Sequence, residues 1–154
     1  MRLPGSPTLW NVQRAIPTSQ SNPGESASVS VVDDDPSVVE AVVSLMESVG
    51  YSAVGFSSAE QFLASSRPGA TACLVLDVRM PGMGGLELQR RLAQQGDRTP
   101  IVFITAHGDS AVSSETLRLG AVAFLLKPFS QDSILDAVRS ALASGRQSPG
   151  QSER

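Results

Sequence analysis

Polar side chains follow several short apolar runs in this 154-residue sequence, at the points where the runs end. In chain order these residues are Asp33, Asp34, Asp77, Thr105 and Lys127. Carboxylates, a hydroxyl and an ammonium group are the side chains that together bind a divalent cation and a phosphate group. They can do so only if the fold brings these chain segments to one place.

Asp77 ends the most informative of these runs. The apolar residues 74–76 are too few for a helix and too uniformly apolar for a strand with one wet face, so they predict a central strand buried on both sides. Pro81 and Gly82 cannot continue a strand or a helix, so the chain must turn directly after Asp77. In open parallel α/β sheets, ligands bind at the carboxyl edge of the strands. The pattern therefore places the Asp77 carboxylate at a candidate binding edge.

The rest of the chain alternates between short strands and amphipathic helices. Strands are predicted at 28–32, 51–56, 73–77, 101–104 and 121–126, and helices at 36–49, 57–67, 85–95, 110–119 and 130–143. Asp35 is predicted to cap the first helix, and Ser57 with Glu60, or a nearby pair, the second. Weak apolar periodicity makes 110–119 the helix expected to pack least securely. Five strands alternating with five helices predict an α/β domain whose parallel sheet is covered on both faces.

Three carboxylates at one edge of a sheet need a balancing cation. Two carboxylates ~4 Å apart repel by about 4 kcal/mol at an effective dielectric of roughly 20. Lys127 supplies one positive charge, and Mg²⁺ suits one or two carboxylates plus a phosphate better than Ca²⁺ does. Taken singly, each residue has a structural explanation, as a cap, a turn former or a surface charge. Their joint occurrence at strand ends favours a metal site.

Composition limits the class of protein. Length and a hydrophobic content of 41% predict a single domain with one core, between a flexible leader at 1–27 and a flexible tail at 144–154. A net charge of -3 gives no general reason to bind nucleic acid, and the one basic pair, Arg90-Arg91, is typical of a solvated helix face. The single cysteine, Cys73, excludes an internal disulfide. No signal peptide or membrane span is evident, which predicts a cytoplasmic location.

The motifs together resemble the receiver domain of two-component response regulators. The similar segments are 31–35, 76–82, 105–106 and 127–129, which occur in the family's order and with appropriate intervals. The stretches 105–109 and 120–129 resemble the FixJ-like branch in particular. The resemblance covers roughly residues 28–143. It implies a flavodoxin-like parallel sheet of strand order 2-1-3-4-5 flanked by five helices.

The resemblance also implies a chemistry for the acidic residues. Asp77 would accept a phosphoryl group from a phosphohistidine of a sensor histidine kinase and become an aspartyl phosphate. Asp34, Asp77 and the backbone carbonyl of Arg79 would ligate Mg²⁺, while Asp33 would act largely through water. The chain would catalyse only its own phosphorylation and dephosphorylation, so it is expected to be a signalling protein rather than an enzyme.

A switch and a set of partners are implied as well. Lys127, together with the metal, would neutralise charge on the transferring oxygens, and Thr105 would donate its hydroxyl to the phosphate. Phe124 matches the family's rotating aromatic residue. Its movement would reshape the surface of the fourth helix, fifth strand and fifth helix. We expect this surface to form a homodimer or to contact an output partner that regulates transcription, with no direct nucleic-acid or membrane contact by this chain.

Some positions depart from the common pattern of the family. Leu125 and Leu126 precede Lys127 where relatives often carry a charged or polar residue, so this face is expected to be unusually apolar and inclined to associate. Arg79 and His107 stand where the family tunes dephosphorylation, which predicts a changed phosphoryl lifetime of undetermined direction. His107 is interpreted as a turn or surface imidazole, because the chain has no second histidine for a metal site.

Two other functions stay open on the sequence alone. A Mg²⁺-dependent phosphatase would also use an aspartyl nucleophile, but enzymes of the haloacid dehalogenase type require a second aspartate where this chain has Arg79. An interaction module that works without phosphorylation would need neither the metal nor the phosphoryl group.

Overall fold

A computed structural model describes residues 27–106, 108 and 110–151. The strands are β1 Ser28–Val32, β2 Ser52–Phe56, β3 Cys73–Asp77, β4 Ile101–Thr105 and β5 Ala123–Leu126. The helices are α1 Pro36–Ser48, α2 Ala59–Ala64, α3 Gly85–Gln94, α4 Ser110–Arg118 and α5 Gln131–Gln151. Each predicted strand and helix is present, and the two kinds of element alternate along the chain as expected.

The strands form one parallel sheet in the order β2-β1-β3-β4-β5, which confirms the α/β fold and its strand order. Because all five strands run in the same direction, their last residues lie at the same edge of the sheet. Val32, Asp77 and Thr105 end three neighbouring strands at this edge. The topology thus brings together residues that are far apart in the sequence.

Each face of the sheet buries its own apolar cluster. The cluster facing α1 and α5 includes Val31, Val75, Ile104, Met46, Ile134 and Val138. The cluster facing α2 and α3 includes Val32, Leu74, Leu76, Phe103, Phe62, Leu88 and Leu92. Every residue of β3 and β4 is buried, as expected for central strands covered on both faces. The site therefore stands on the best-packed part of the sheet.

Both predicted helix caps near the sheet edge form. Asp35 accepts a hydrogen bond from the Ser37 N–H at 3.0 Å and so satisfies a donor that the first turn of α1 leaves unpaired. Ser58 caps α2 by accepting from the Gln61 N–H, also at 3.0 Å. The cap of α2 is therefore formed by Ser58 and Gln61, the pair next to Ser57 and Glu60. Glu60 instead makes a contact that is described below.

The end of the chain differs from the prediction. Helix α5 continues to Gln151 and does not stop at Ala143, so the predicted helix end is wrong. The sequence after Ala143 carries no apolar period, and such a period is the signal from which further helix would be predicted. Residues 1–26 of the predicted leader and 152–154 lie outside the described residues. Within the part of the chain that the structure describes, no helix is both long and apolar enough to cross a bilayer.

Helix α4 buries little of its surface, in line with its weak apolar periodicity. Among the side chains described in α4, only Thr116 is buried, whereas Leu117 is 47% exposed. The neighbouring strand β5 has no buried residue, and its last residue, Leu126, is 52% exposed. The expected apolar surface is therefore present at Leu126, whereas Leu125 is partly buried and packs against the cluster facing α1 and α5.

Candidate functional site

Strand β1 delivers two adjacent carboxylates to the edge of the sheet. Asp33 is fully buried, and its N–H donates to the Phe56 carbonyl at 3.2 Å, which continues the pairing with β2 beyond Val32. Asp33 Oδ1 accepts from the Asp35 N–H at 2.9 Å. Asp34 is exposed. The backbone therefore fixes the first carboxylate, while the second is accessible to solvent and ions.

Asp77 is the last residue of β3 and is 4% exposed. The turn behind it packs closely, because the Gly85 N–H donates to the Val78 carbonyl at 2.9 Å and a Cβ at Gly85 would collide with the Asp77 backbone oxygen. Only glycine allows this approach. The Arg79 N–H lies 3.4 Å from Asp77 Oδ1, so the loop begins by folding back towards the carboxylate.

Lys127 follows β5 and reaches both buried carboxylates. The backbone N–H of Lys127 donates to the Thr105 carbonyl at 2.7 Å, which extends the β4–β5 pairing. Its Nζ lies 2.7 Å from Asp33 Oδ2 and 3.6 Å from Asp77 Oδ2. The sequence predicted that Lys127 would be near Asp77 but not that its closer ion pair is with Asp33.

The three aspartates could hold a metal ion together. Asp33, Asp34 and Asp77 each offer a carboxylate oxygen, and these oxygens lie within 4.8 Å of one another. Hard oxygen donors at this spacing suit Mg²⁺. One lysine cannot neutralise three carboxylates, so a divalent cation would also correct the local charge. The residues predicted from the sequence therefore come together and fit the expected ion.

Burial and neighbouring charges shift the pKa values of Asp77 and Lys127. Burial, followed by the charge of Asp33, raises the pKa of Asp77 to about 6, although Lys127 and the Arg79 N–H act in the opposite direction. Burial alone would lower the pKa of Lys127, but its hydrogen bond with Asp33 and the charges of Asp33 and Asp77 raise it overall. The lysine is therefore cationic at neutral pH, and a further cation next to Asp77 would favour the ionised form of its carboxyl group.

The remaining predicted residues lie on the neighbouring strands. Thr105 ends β4 and is buried next to β3. Phe124 stands opposite Phe103 on β5 and is a partly buried member of the cluster facing α2 and α3. In the same pairing Thr105 is opposite Leu126. The two predicted switch residues, Thr105 on β4 and Phe124 on β5, therefore lie on adjacent strands near the site. His107 lies outside the described residues.

One contact near the site was not predicted. Glu60 Oε2 on α2 accepts a hydrogen bond from the Met83 N–H, in the loop between β3 and α3, at 3.0 Å. The glycines of that loop indicate a close approach in the sequence, but nothing in the sequence names the approaching partner.

Comparison with known proteins agrees with the geometry of the site. Residues 29–139 match the family of the response regulator receiver domain. The chain belongs to this family. The receiver domain has a fold that is also found in the crystal structure of FixJ-N, with 34% sequence identity and a TM-score of 0.69 over 76% of this chain and 94% of that one. The FixJ-like resemblance is thus confirmed.

Curated relatives of this receiver domain are longer proteins. It is 46% identical over 112 residues to the response regulator protein TodT of Pseudomonas putida, covering 73% of this chain and 49% of TodT. It is 41% identical over 133 residues to the transcriptional regulatory protein FixJ of Azorhizobium caulinodans, covering 84% of this chain and 63% of FixJ. The chain thus spans about half to two thirds of the length of these relatives. As a receiver domain it belongs to two-component signalling, in which response regulators receive phosphate from sensor kinases, and its family generally binds Mg²⁺.

Proposed function

We propose that this receiver domain, over residues 28–143, accepts a phosphoryl group on Asp77 from a sensor histidine kinase. The observation that supports this most strongly is the placement of Asp77. Its carboxylate is nearly buried at the carboxyl edge of β3, within the three-aspartate cluster and 3.6 Å from the Lys127 ammonium. A nucleophilic oxygen beside a fixed cation is what phosphoryl transfer requires.

The neighbouring residues divide the work of binding a metal. Asp34, Asp77 and the Arg79 carbonyl are the proposed ligands of Mg²⁺. Asp33 is proposed to act through water, because Oδ1 already accepts from the Asp35 N–H and Oδ2 pairs with Lys127. When bound, Mg²⁺ supplies positive charge that stabilises the oxygens of the transferring phosphoryl group.

In the proposed reaction, an Asp77 carboxylate oxygen forms a bond to phosphorus while the bond from phosphorus to the histidine nitrogen of the kinase breaks. The electron pair of the broken bond stays on that nitrogen. Lys127 stabilises the charge on the phosphoryl oxygens, and the Thr105 hydroxyl donates to one of them. Burial of Asp77 and Thr105 limits the access of water to the acyl phosphate.

The response is proposed to reach the surface through Thr105 and Phe124. Inward movement of Thr105 towards the phosphoryl group makes room for Phe124 to turn in, which selects a second packing of α4 and β5. Leu117 and Leu126 are exposed on this part of the molecule. We propose that phosphorylation promotes a homodimer or the binding of an output partner through the surface of α4, β5 and α5.

The wider role proposed for the chain is the control of transcription in the cytoplasm through an output domain or partner, without direct contact to nucleic acid or membrane by this domain. Arg90 and Arg91 are the only two basic residues adjacent in the sequence, and both form ion pairs within the domain. Arg90 pairs with Glu115 and Arg91 pairs with Glu87, each at 3.4 Å. These carboxylates reduce the positive charge that α3 would offer to a phosphate backbone.

The experiment is phosphorylation by acetyl phosphate with Mg²⁺, followed by intact mass spectrometry. We expect one added phosphoryl group on the wild type, none on Asp77→Asn and one on Asp136→Asn, which changes an exposed carboxylate of α5. Full labelling of Asp77→Asn would falsify the assignment. Repeated turnover of a small phosphomonoester would favour the phosphatase, and no labelling of any variant would favour the interaction module.

A further inference from the structure

The loop between β3 and α3, residues 78–84, is held to the Asp77 site at its two ends. The Arg79 N–H lies 3.4 Å from Asp77 Oδ1 at the start of the loop. At the end, the Gly85 N–H donates to the Val78 carbonyl at 2.9 Å. Arg79, at the first of these points, also carries the carbonyl that is the proposed metal ligand.

A third attachment comes from a different part of the chain. Glu60 Oε2 accepts from the Met83 N–H at 3.0 Å, and a Cβ added at Gly82 would lie 2.7 Å from the same oxygen. Gly82 has φ +76, a conformation that favours glycine. The carboxylate therefore lies directly against the loop backbone, and both the conformation and the size of Gly82 permit this contact.

Glu60 is fixed in place although its side chain is exposed. It lies in the first turn of α2, which is capped by Ser58 and anchored by Phe62, a buried residue of the apolar core. The Phe62 ring also contacts the Phe56 ring edge to face, with centroids 5.4 Å apart. The hydrogen bond from Met83 lowers the pKa of Glu60, so the carboxylate is ionised when it accepts that bond. A charge-assisted bond thus links the core to the loop.

We propose that Glu60 is a positioning residue of the phosphorylation site. It contacts neither the metal nor the phosphoryl group, and it acts by holding the loop through the Met83 N–H so that Arg79 stays next to Asp77. This inference rests on the proposed function, because the importance of the loop follows from the ligand role of the Arg79 carbonyl. Residues that orient metal ligands in this way typically change metal affinity when they are replaced.

The test compares Glu60→Ala with Glu60→Gln, which keeps a hydrogen-bond acceptor, and with Glu47→Ala, which removes the same charge from an exposed position of α1. The Mg²⁺ dissociation constant is measured by isothermal titration calorimetry. We expect Glu60→Ala to weaken Mg²⁺ binding about tenfold. Glu60→Gln and Glu47→Ala should stay within about twofold of the wild type, because the first retains the acceptor and the second does not touch the loop.

A second readout concerns the metal-free protein. The Met83 amide should exchange with solvent faster in Glu60→Ala than in the wild type or Glu60→Gln, while the free energy of unfolding changes little. Unchanged Mg²⁺ affinity in Glu60→Ala, or an equal loss in Glu47→Ala, would overturn the proposal. If the wild type takes up no phosphoryl group, the proposed function fails, whereas the Mg²⁺ affinities of these variants still decide the role of Glu60.

Discussion

The carboxyl edge of β3 and β4 and the surface of α4 and β5 are built in opposite ways. Every residue of β3 and β4 is buried between two apolar clusters, whereas β5 has no buried residue and α4 buries only Thr116 among its described side chains. Dense packing holds Asp33 and Asp77 in place. Sparse packing lets neighbouring elements move at low free-energy cost. The difference suits a domain whose chemistry needs fixed geometry and whose output needs two surface conformations.

The attachment of α4 to the rest of the domain is also partly polar. Gln89 Nε2 donates to the Thr116 carbonyl and Arg90 Nη2 pairs with Glu115, each at 3.4 Å. Within the described residues, the buried Gln89 Oε1 has no hydrogen-bond partner. Long hydrogen bonds and an unpaired acceptor hold a helix less strongly than an apolar interface does. These polar contacts explain physically why α4 packs weakly, as its sequence predicted.

The largest effect should separate the two regions directly. Leu74→Ala removes a fully buried side chain from β3, so it should lower the free energy of unfolding by about 2–5 kcal/mol. Leu117→Ala is the same substitution at an exposed position of α4 and should change it by less than about 0.5 kcal/mol. Urea denaturation measures both values. Equal losses in the two variants would mean that α4 is packed as tightly as β3.

The next largest effect on the free energy of unfolding comes from ionisation of the buried Asp77 carboxyl group. Because the pKa of Asp77 rises from 3.8 to about 6 on folding, its ionisation disfavours the folded state. The free energy of unfolding should therefore fall as the pH rises from about 4 to about 6 and change little from this group above that range. In EDTA at pH 8, Asp77→Asn should therefore be more stable than the wild type by about 1–3 kcal/mol. The gap should close below about pH 4, where the wild-type carboxyl is protonated in both states. A variant that is less stable at pH 8 would refute this account of the site.

A smaller increase in the free energy of unfolding is expected when the polar contact between Gln89 and α4 is replaced by an apolar one. Gln89 has a buried amide whose oxygen is unpaired, and Gln89→Leu puts an apolar side chain of similar size in its place. The substitution should therefore raise the free energy of unfolding by about 1 kcal/mol. Gln94→Leu changes an exposed position of the same helix and should have almost no effect. Urea denaturation distinguishes the two. Destabilisation of Gln89→Leu by more than about 1 kcal/mol would mean that the amide holds α4 strongly.

The smallest effect on stability should accompany a change in association. Leu126→Ser alters a side chain that is half exposed on β5, so unfolding should change by less than about 0.5 kcal/mol. Sedimentation velocity after treatment with acetyl phosphate and Mg²⁺ should show less dimer than in the wild type. Val49→Ser, an exposed apolar position after α1, serves as the control. Undiminished dimer in Leu126→Ser would exclude this residue from the proposed interface.

Local sequence patterns were sufficient to predict the strands, most helix bounds and the meeting of the aspartates. The apolar run before Asp77 and the breakers behind it determine where β3 ends, and parallel topology brings that end to the same edge of the sheet as the end of β1. The strand order that makes β1 and β3 neighbours was implied by the family resemblance. The Lys127–Asp33 ion pair and the Glu60–Met83 hydrogen bond could not be predicted in this way. Both join side chains from distant segments, whose partners depend on packing angles that periodicity does not encode.

Chemical trapping identifies directly the residue that forms the acyl phosphate, which we propose to be Asp77. Borohydride reduces an aspartyl phosphate to homoserine, so the protein is treated with acetyl phosphate and Mg²⁺, reduced, digested and sequenced by mass spectrometry. We expect homoserine at position 77 only, and only when both acetyl phosphate and Mg²⁺ are present. Homoserine at Asp33 or Asp34 with Asp77 unchanged would contradict it.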